Sequence, residues 1–211
     1  MSQLVSFYET APVTDKRGLL TDVIQRPMQV RSGYDVVEGE VVPRVVYVQA
    51  PIEGRPLLVP FGQYDAWSLR QRFEEALRVM NTLGACEIEC ATYSARRNAV
   101  AARVGVGPMA GWGKVTRTQS TDFDYSFSGT GAAPRDPGPI RWTNIPGLDA
   151  AKQSVLLNGG RRVEITIESE SEFAADSDLA RRLKSSGLVL GLEGRTQAKT
   201  LLRIKAEFQP V

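Results

Sequence analysis

The sequence contains no histidine among its 211 residues, so the commonest general base and the commonest metal ligand of proteins are both missing. Its two cysteines, Cys86 and Cys90, would lie about 13 Å apart in an extended strand, which is too far for a disulfide. Two cysteines alone cannot complete a structural zinc site. We therefore expect both thiols to be reduced, and we expect no metal or other cofactor.

Long apolar runs are also missing, since no window approaches the roughly 18 apolar residues of a membrane-spanning helix. The first residues lack a basic region followed by an apolar run, so no signal peptide is expected and the predicted location is cytoplasmic. The net charge of +2 is too small to predict a dedicated nucleic-acid-binding protein from global electrostatics. A hydrophobic content of 42% with 24% charged residues is typical of a globular protein.

The patterning predicts an α+β fold with a mainly antiparallel twisted sheet, two or three packed helices and a long glycine-rich hairpin. The clearest helix covers residues 65–83, with Asp65 as its N-cap and Gly84 after its end. Its apolar residues recur at helical spacing and are Leu69, Phe73, Ala76, Leu77 and Met80. The opposite face, predicted to be solvated, carries Arg70, Gln71, Glu74, Glu75 and Arg78.

Alternation of apolar and polar residues predicts strands at 86–94, 122–128, 161–169 and 200–208. In the second of these, Phe123, Tyr125 and Phe127 share one face and serines and aspartates the other. This pattern is typical of an antiparallel strand with one solvated face.

A glycine- and proline-rich segment at 129–139 is predicted to be a linker between two subdomains. Residues 1–128 would form a β-rich subdomain with the helix 65–83 and a long hairpin at 86–128. Residues 140–211 would form a smaller α+β subdomain packed on the first.

The segment Ser94–Thr121 is the least ordinary part of the chain, because it contains five basic residues and no acidic one. The basic residues are Arg96, Arg97, Arg103, Lys114 and Arg117. Between them, ten uncharged residues at 104–113 are rich in glycine. Their larger apolar side chains, which we expect to dock on a membrane or a partner, are Val104, Val106, Met109 and Trp112.

The glycines of this segment do not form a known nucleotide-binding loop. A Walker motif needs glycine and Ser/Thr where this chain has Pro108 and Val115. A dinucleotide fingerprint fails as well, because no strand–turn–helix unit surrounds the glycines. Nucleophilic serine chemistry lacks both a histidine and a Gly-x-Ser-x-Gly motif. The sequence therefore predicts a protein without enzymatic activity.

A long hairpin of small residues with an uncharged tip flanked by arginines resembles the hairpins of β-type pore-forming proteins. The resemblance is one of pattern and covers under a fifth of the chain. It implies membrane attachment or insertion of the hairpin 94–121 by a homo-oligomer. Because a charge on the lipid face costs about 2–4 kcal/mol at mid-bilayer, Lys114 and Arg117 favour docking of the tip over complete spanning.

Two alternatives remain open. The run Val-Gly-Val-Gly-x-x-x-Gly-Trp-Gly at 104–113 is similar to the glycine-rich loop of the RNA-binding subunits of CRISPR effector complexes. That resemblance implies an RNA-binding subunit in which the five cations contact phosphates and Trp112 stacks on a base. The second alternative is a flexible assembly loop that binds another copy or a partner protein.

Overall fold

The computed structural model describes residues 3–15, 18–19, 22–37, 39–50, 55–94, 125–142, 145–168, 177–190 and 200–209. Two mostly antiparallel sheets and several helices make up this part of the chain, which confirms the α+β class. The tip of the predicted hairpin, at 95–124, lies outside the described residues. The chain divides into two compact units, Met1–Trp67 with Ser171–Gln197 and Ser68–Glu170 with Ala198–Val211.

The described strands are β1 (Gln3–Tyr8), β2 (Thr14–Asp15), β3 (Gly18–Leu19), β4 (Ile24–Pro27), β5 (Asp35–Val36), β6 (Val46–Gln49), β7 (Leu57–Pro60), β8 (Glu87–Ser94), β9 (Tyr125–Ser128), β10 (Arg162–Glu168) and β11 (Thr200–Glu207). The described α-helices are α1 (Tyr64–Thr82), α2 (Leu148–Asn158) and α3 (Ser177–Ser185). Short 3₁₀ turns occupy Met28–Gly33 and Phe61–Gln63. In these ranges, no helix has both the length and the apolar character needed to cross a membrane.

The first unit is built on a five-stranded sheet with the order β4-β1-β6-β7-β5. Its inner pairings, β1 with β6 and β6 with β7, are antiparallel, and the two outer pairings are parallel. Successive residues of the inner strands fall into two separate apolar clusters. One holds Leu4, Val46, Val48 and Val59 with Leu179 and Leu183 of α3, and the other holds Val5, Phe7, Tyr47 and Leu58. The sheet is therefore buried on both faces.

Ser6 of β1 is a polar residue inside this apolar environment. It is 1% exposed and lies opposite Val46 in β6. Strand alternation places it on the same face as Leu4. Its hydroxyl finds no hydrogen-bond partner among the described residues, so burial of this group costs folding free energy.

Replacing Ser6 with Ala should raise the free energy of unfolding by about 1 kcal/mol, because the unpaired hydroxyl is removed. Urea denaturation followed by circular dichroism measures the change. Ser6→Thr is the matched control, since it keeps the hydroxyl and should give no gain. An equal stability of wild type and Ser6→Ala would contradict the assignment of an unpaired group.

The second unit is built on a four-stranded antiparallel sheet with the order β10-β11-β8-β9. Strict alternation in β10 buries Val163, Ile165 and Ile167 on one face, which α2 contacts. The register places Ala206, Ile204 and Leu202 of β11 opposite them. The sequence-based predictions for these two strands are confirmed. The alternation arises because one face of the sheet is buried and the other is solvated.

Residues 129–142 form a strap along the end of α1, within the second unit. The amides of Ala132 and Arg135 donate to the carbonyl oxygens of Gly84 (3.3 Å) and Thr82 (3.1 Å). Gly84 has φ of +81°, and a Cβ there would lie 2.1 Å from the Ala132 oxygen. The compact units thus divide the chain elsewhere than at the linker expected at 129–139. Backbone hydrogen bonds to α1 hold this segment within one unit.

An ion pair on α1 fixes the far end of the strap. Arg78 Nε donates to Glu75 Oε2 (2.8 Å), and its Nη1 donates to the Pro137 carbonyl oxygen (2.8 Å). The Arg141 amide donates to Glu75 Oε1 (2.8 Å). The Glu75 side chain is only 4% exposed, so the expectation that this face of the helix is entirely solvated was wrong at this residue. The hydrogen bond from Arg78 lowers the pKa of Glu75 and raises the pKa of Arg78.

Substituting Gln for Glu75 should lower the free energy of unfolding by about 2 to 3 kcal/mol near neutral pH, because the charge of Arg78 loses its partner. A lowered carboxyl pKa stabilises the fold above the usual value of 4.5, and this stabilisation disappears as pH falls through the folded-state pKa. The difference between variant and wild type should therefore shrink in acid. Urea denaturation over a pH series measures it.

Glu74→Gln is the matched control, because Glu74 is 52% exposed and pairs with Arg70 on the solvent side of the same helix. Such an exposed pair contributes only about 0.3–0.5 kcal/mol. Equal losses for the two variants, or a pH-independent loss for Glu75→Gln, would contradict the role given to Glu75.

Candidate functional site

The nine residues that the sequence singles out for docking and for anion contacts lie outside the described part of the chain. They are Arg96, Arg97, Arg103, Val104, Val106, Met109, Trp112, Lys114 and Arg117. Their assignment stays a prediction. The described structure provides instead the base from which the segment 95–124 departs and to which it returns.

This base is the antiparallel pair of strands β8 and β9. Cys90 lies opposite Tyr125 and Ile88 lies opposite Phe127. Because β8 runs toward Ser94 and the described part of β9 starts at Tyr125, both ends of the segment 95–124 lie toward the same end of this sheet. The two strands that flank the glycine-rich segment are therefore neighbours in one sheet, as two legs of a hairpin would be.

The aromatic residues of β9 do not belong to the core. Tyr125 is 36% exposed and Phe127 is 39% exposed, whereas Ile88 beside Phe127 is fully buried. A Cβ on Gly129 would lie 2.8 Å from Cζ of Phe127, so the ring lies over this glycine. Alternation correctly places both aromatics on one face. However, β9 is the outermost of the described strands of this sheet, and its aromatic side chains stay half open to solvent.

The other face of the same sheet is charged. A shallow open groove there is lined by Glu87, Glu89, Arg162, Glu164, Lys205 and Glu207. Arg162 Nε donates to Glu207 Oε1 (3.1 Å), and the Arg203 guanidinium pairs with Glu164. These pairs are solvent-exposed, so they contribute little to stability. This part of the surface has more carboxylates than cations.

The chemistry that this arrangement supports is limited. In the part of the chain that the structure describes, no three Cys, Asp or Glu side chains are grouped so that they could hold a metal ion. Both cysteines carry thiols outside any disulfide and are half-buried, with Cys90 on β8 and Cys86 directly before that strand. Cys86 is fixed locally, because its amide donates to the Glu207 carbonyl oxygen (2.8 Å).

Sequence reasoning did not identify the features that give the base its character. Local periodicity predicts neither the outermost position of β9 nor the attachment of the 129–142 strap. Both depend on contacts between segments that are distant in the sequence. The glycines at 84, 129 and 131 are the sequence feature that relates to these contacts, because a close backbone approach requires glycine.

Comparisons of the chain with protein-family models, with curated proteins and with solved structures find no match.

Proposed function

We propose that the chain is a non-enzymatic oligomerising or docking protein that acts through the hairpin 94–121. In its sharpest form, the hairpin attaches to a membrane or inserts into it as part of a pore. The observation that carries the proposal is the pairing of β8 with β9. A segment tied at both ends to adjacent strands of a sheet can present its tip away from the core.

The composition of the tip supports docking. Burial of Val104, Val106, Met109 and Trp112 contributes several kcal/mol at about 25 cal/mol per Å² of apolar surface. The five flanking cations add roughly 1 kcal/mol each near anionic lipid. The protein acts from the cytoplasm as a homo-oligomer or with a partner protein, and it associates with the membrane on activation.

The charges of the described sheet face add no attraction to a membrane. The groove formed by β8, β10 and β11 carries four carboxylates and the cations Arg162 and Lys205, and its exposed ion pairs offset most of the charge. The attraction to anionic lipid therefore rests on the five cations of the segment 94–121.

RNA binding is the second candidate, and the five cations without an acidic neighbour favour it. In that case the glycine backbone amides and the arginines hold phosphates, and Trp112 stacks on a base. The two functions differ in their requirements, since a phosphate cradle needs the cations and a membrane anchor needs the apolar tip.

The double variant Met109→Ser/Trp112→Ser should reduce dye leakage from anionic liposomes more than about tenfold, because it removes most of the apolar surface at the tip. Leu157→Ser is the matched control: Leu157 is 77% exposed on α2, outside the hairpin, and its replacement should leave leakage unchanged. Wild-type protein that releases no dye at any lipid composition would refute membrane insertion.

Neutralising Arg96, Arg97 and Arg117 with Gln should separate the RNA alternative. If these side chains contact phosphates, the slope of log binding constant against log salt falls by about 0.7 for each lost contact to single-stranded RNA. Mobility shifts at several salt concentrations measure the slope. If RNA binding depends on Arg96, Arg97 and Arg117 and the protein releases no dye from liposomes, RNA binding would be the function in place of membrane insertion.

A further inference from the structure

The outer side of β9 carries backbone groups that no described strand pairs with. The Gly129 amide donates to the Cys86 carbonyl oxygen (2.8 Å), and Phe127 lies opposite Ile88. In an antiparallel pair, residues alternate between bonding the neighbouring strand and pointing away from it. The N–H and C=O groups of Tyr125 and Phe127 therefore face β8, and those of Ser126 and Ser128 face outward. Within the described ranges, no strand pairs with this outer side.

Within its four described residues, β9 also lacks the usual protection against pairing. Edge strands are commonly blocked by a charged side chain, a proline or a bulge. The four residues of β9 are Tyr, Ser, Phe and Ser, and the register with β8 continues through all four. Tyr125 and Phe127 leave a half-exposed aromatic row at the same edge.

We propose that a second copy of this chain pairs with β9, strand to strand and antiparallel, about a two-fold axis at Phe127. Ser126 then lies opposite Ser128 of the second copy, and Phe127 lies opposite its own equivalent. Four backbone hydrogen bonds form, from the outward groups of the two serines in each chain. The two four-stranded sheets become one continuous sheet. This inference rests on the oligomerising part of the proposed function and assigns it a surface outside the segment 94–121.

The side chains on both faces suit this pairing. On the polar face, serine lies opposite serine, and the carboxylates of β8 stay a further strand away on each side. Glu89 of one chain and Glu87 of the other are thus three strand spacings apart, about 14 Å, so like charges do not oppose each other. On the other face, Tyr125 of one chain lies opposite Gly129 of the second copy, which has no side chain. The row of apolar side chains through Ile88 and Phe127 continues into the second copy.

The two-fold symmetry of the pairing gives a closed pair of copies. Beyond Gly129 the chain turns away to Gly84 at the end of α1, where the Ala132 amide is bonded. The outward groups described on this edge are therefore only those of Ser126 and Ser128. A two-fold pairing uses all of them, so the same edge cannot add a third copy.

Ser126→Pro tests the pairing, because it removes an outward N–H that β8 does not use. Sedimentation over a concentration series should give wild-type protein at twice the 23.1 kDa mass of one chain. The proline variant loses two hydrogen bonds per dimer, so its dissociation constant should rise at least about tenfold. Ser126→Ala is the matched control, since it keeps the N–H and should dimerise like the wild type.

Amide hydrogen exchange of the wild-type protein gives a second measurement that does not depend on how the proline variant folds. Protection of the Ser126 and Ser128 amides should rise with protein concentration, while that of Phe127, already bonded to β8, stays unchanged. A wild-type protein that is monomeric throughout, or concentration-independent exchange at both serines, would overturn the pairing.

Liposome leakage keeps this result separate from the proposed function. A monomer that still releases dye would overturn the β9 pairing and leave hairpin docking intact. A dimer with concentration-dependent serine protection that releases no dye would support the pairing and count against membrane insertion. A dimer that persists in Ser126→Pro but is lost on changing Met109 and Trp112 would place the contact in the hairpin and overturn the β9 assignment.

Discussion

The pairing of β8 with β9 is the constraint on which the candidate site depends, because it places the two flanks of the glycine-rich segment on neighbouring strands. Four residue pairs of this ladder are described, from Glu87 with Ser128 to Cys90 with Tyr125. The residues that follow β9 are bonded to the same unit as well.

These residues form the strap at 129–142. Successive amides bond the chain to Cys86, Gly84 and Thr82, and the ion pair of Glu75 with Arg78 captures the carbonyl oxygen of Pro137 and the amide of Arg141. Lys152 of α2 adds a bond to the Gly138 carbonyl oxygen (2.8 Å). A segment whose composition indicates a linker is thus bonded to α1, to α2 and to the residues before β8, and these bonds hold the chain that follows β9.

What the sequence predicted well depends on local periodicity. The α1 helix, the alternating strands β10 and β11 and the α+β class all follow from the spacing of apolar residues, which local burial imposes. The burial of Glu75 and the attachment of the strap could not be predicted, because they arise from contacts between distant segments. For the site, the sequence indicated β8 and β9 as flanking strands, whereas the edge position of β9 follows from strand order alone.

The order of elements along the chain also bears on how the molecule is made. In the second sheet, β11 lies between β10 and β8, so the strand that joins them is the last of the described elements to leave the ribosome. In the first unit, the cluster around Leu4 and Val48 needs Leu183 and Leu188. Both units therefore join segments that lie far apart in the sequence. Such non-local pairing slows folding and leaves apolar strands open to aggregation until their partners arrive.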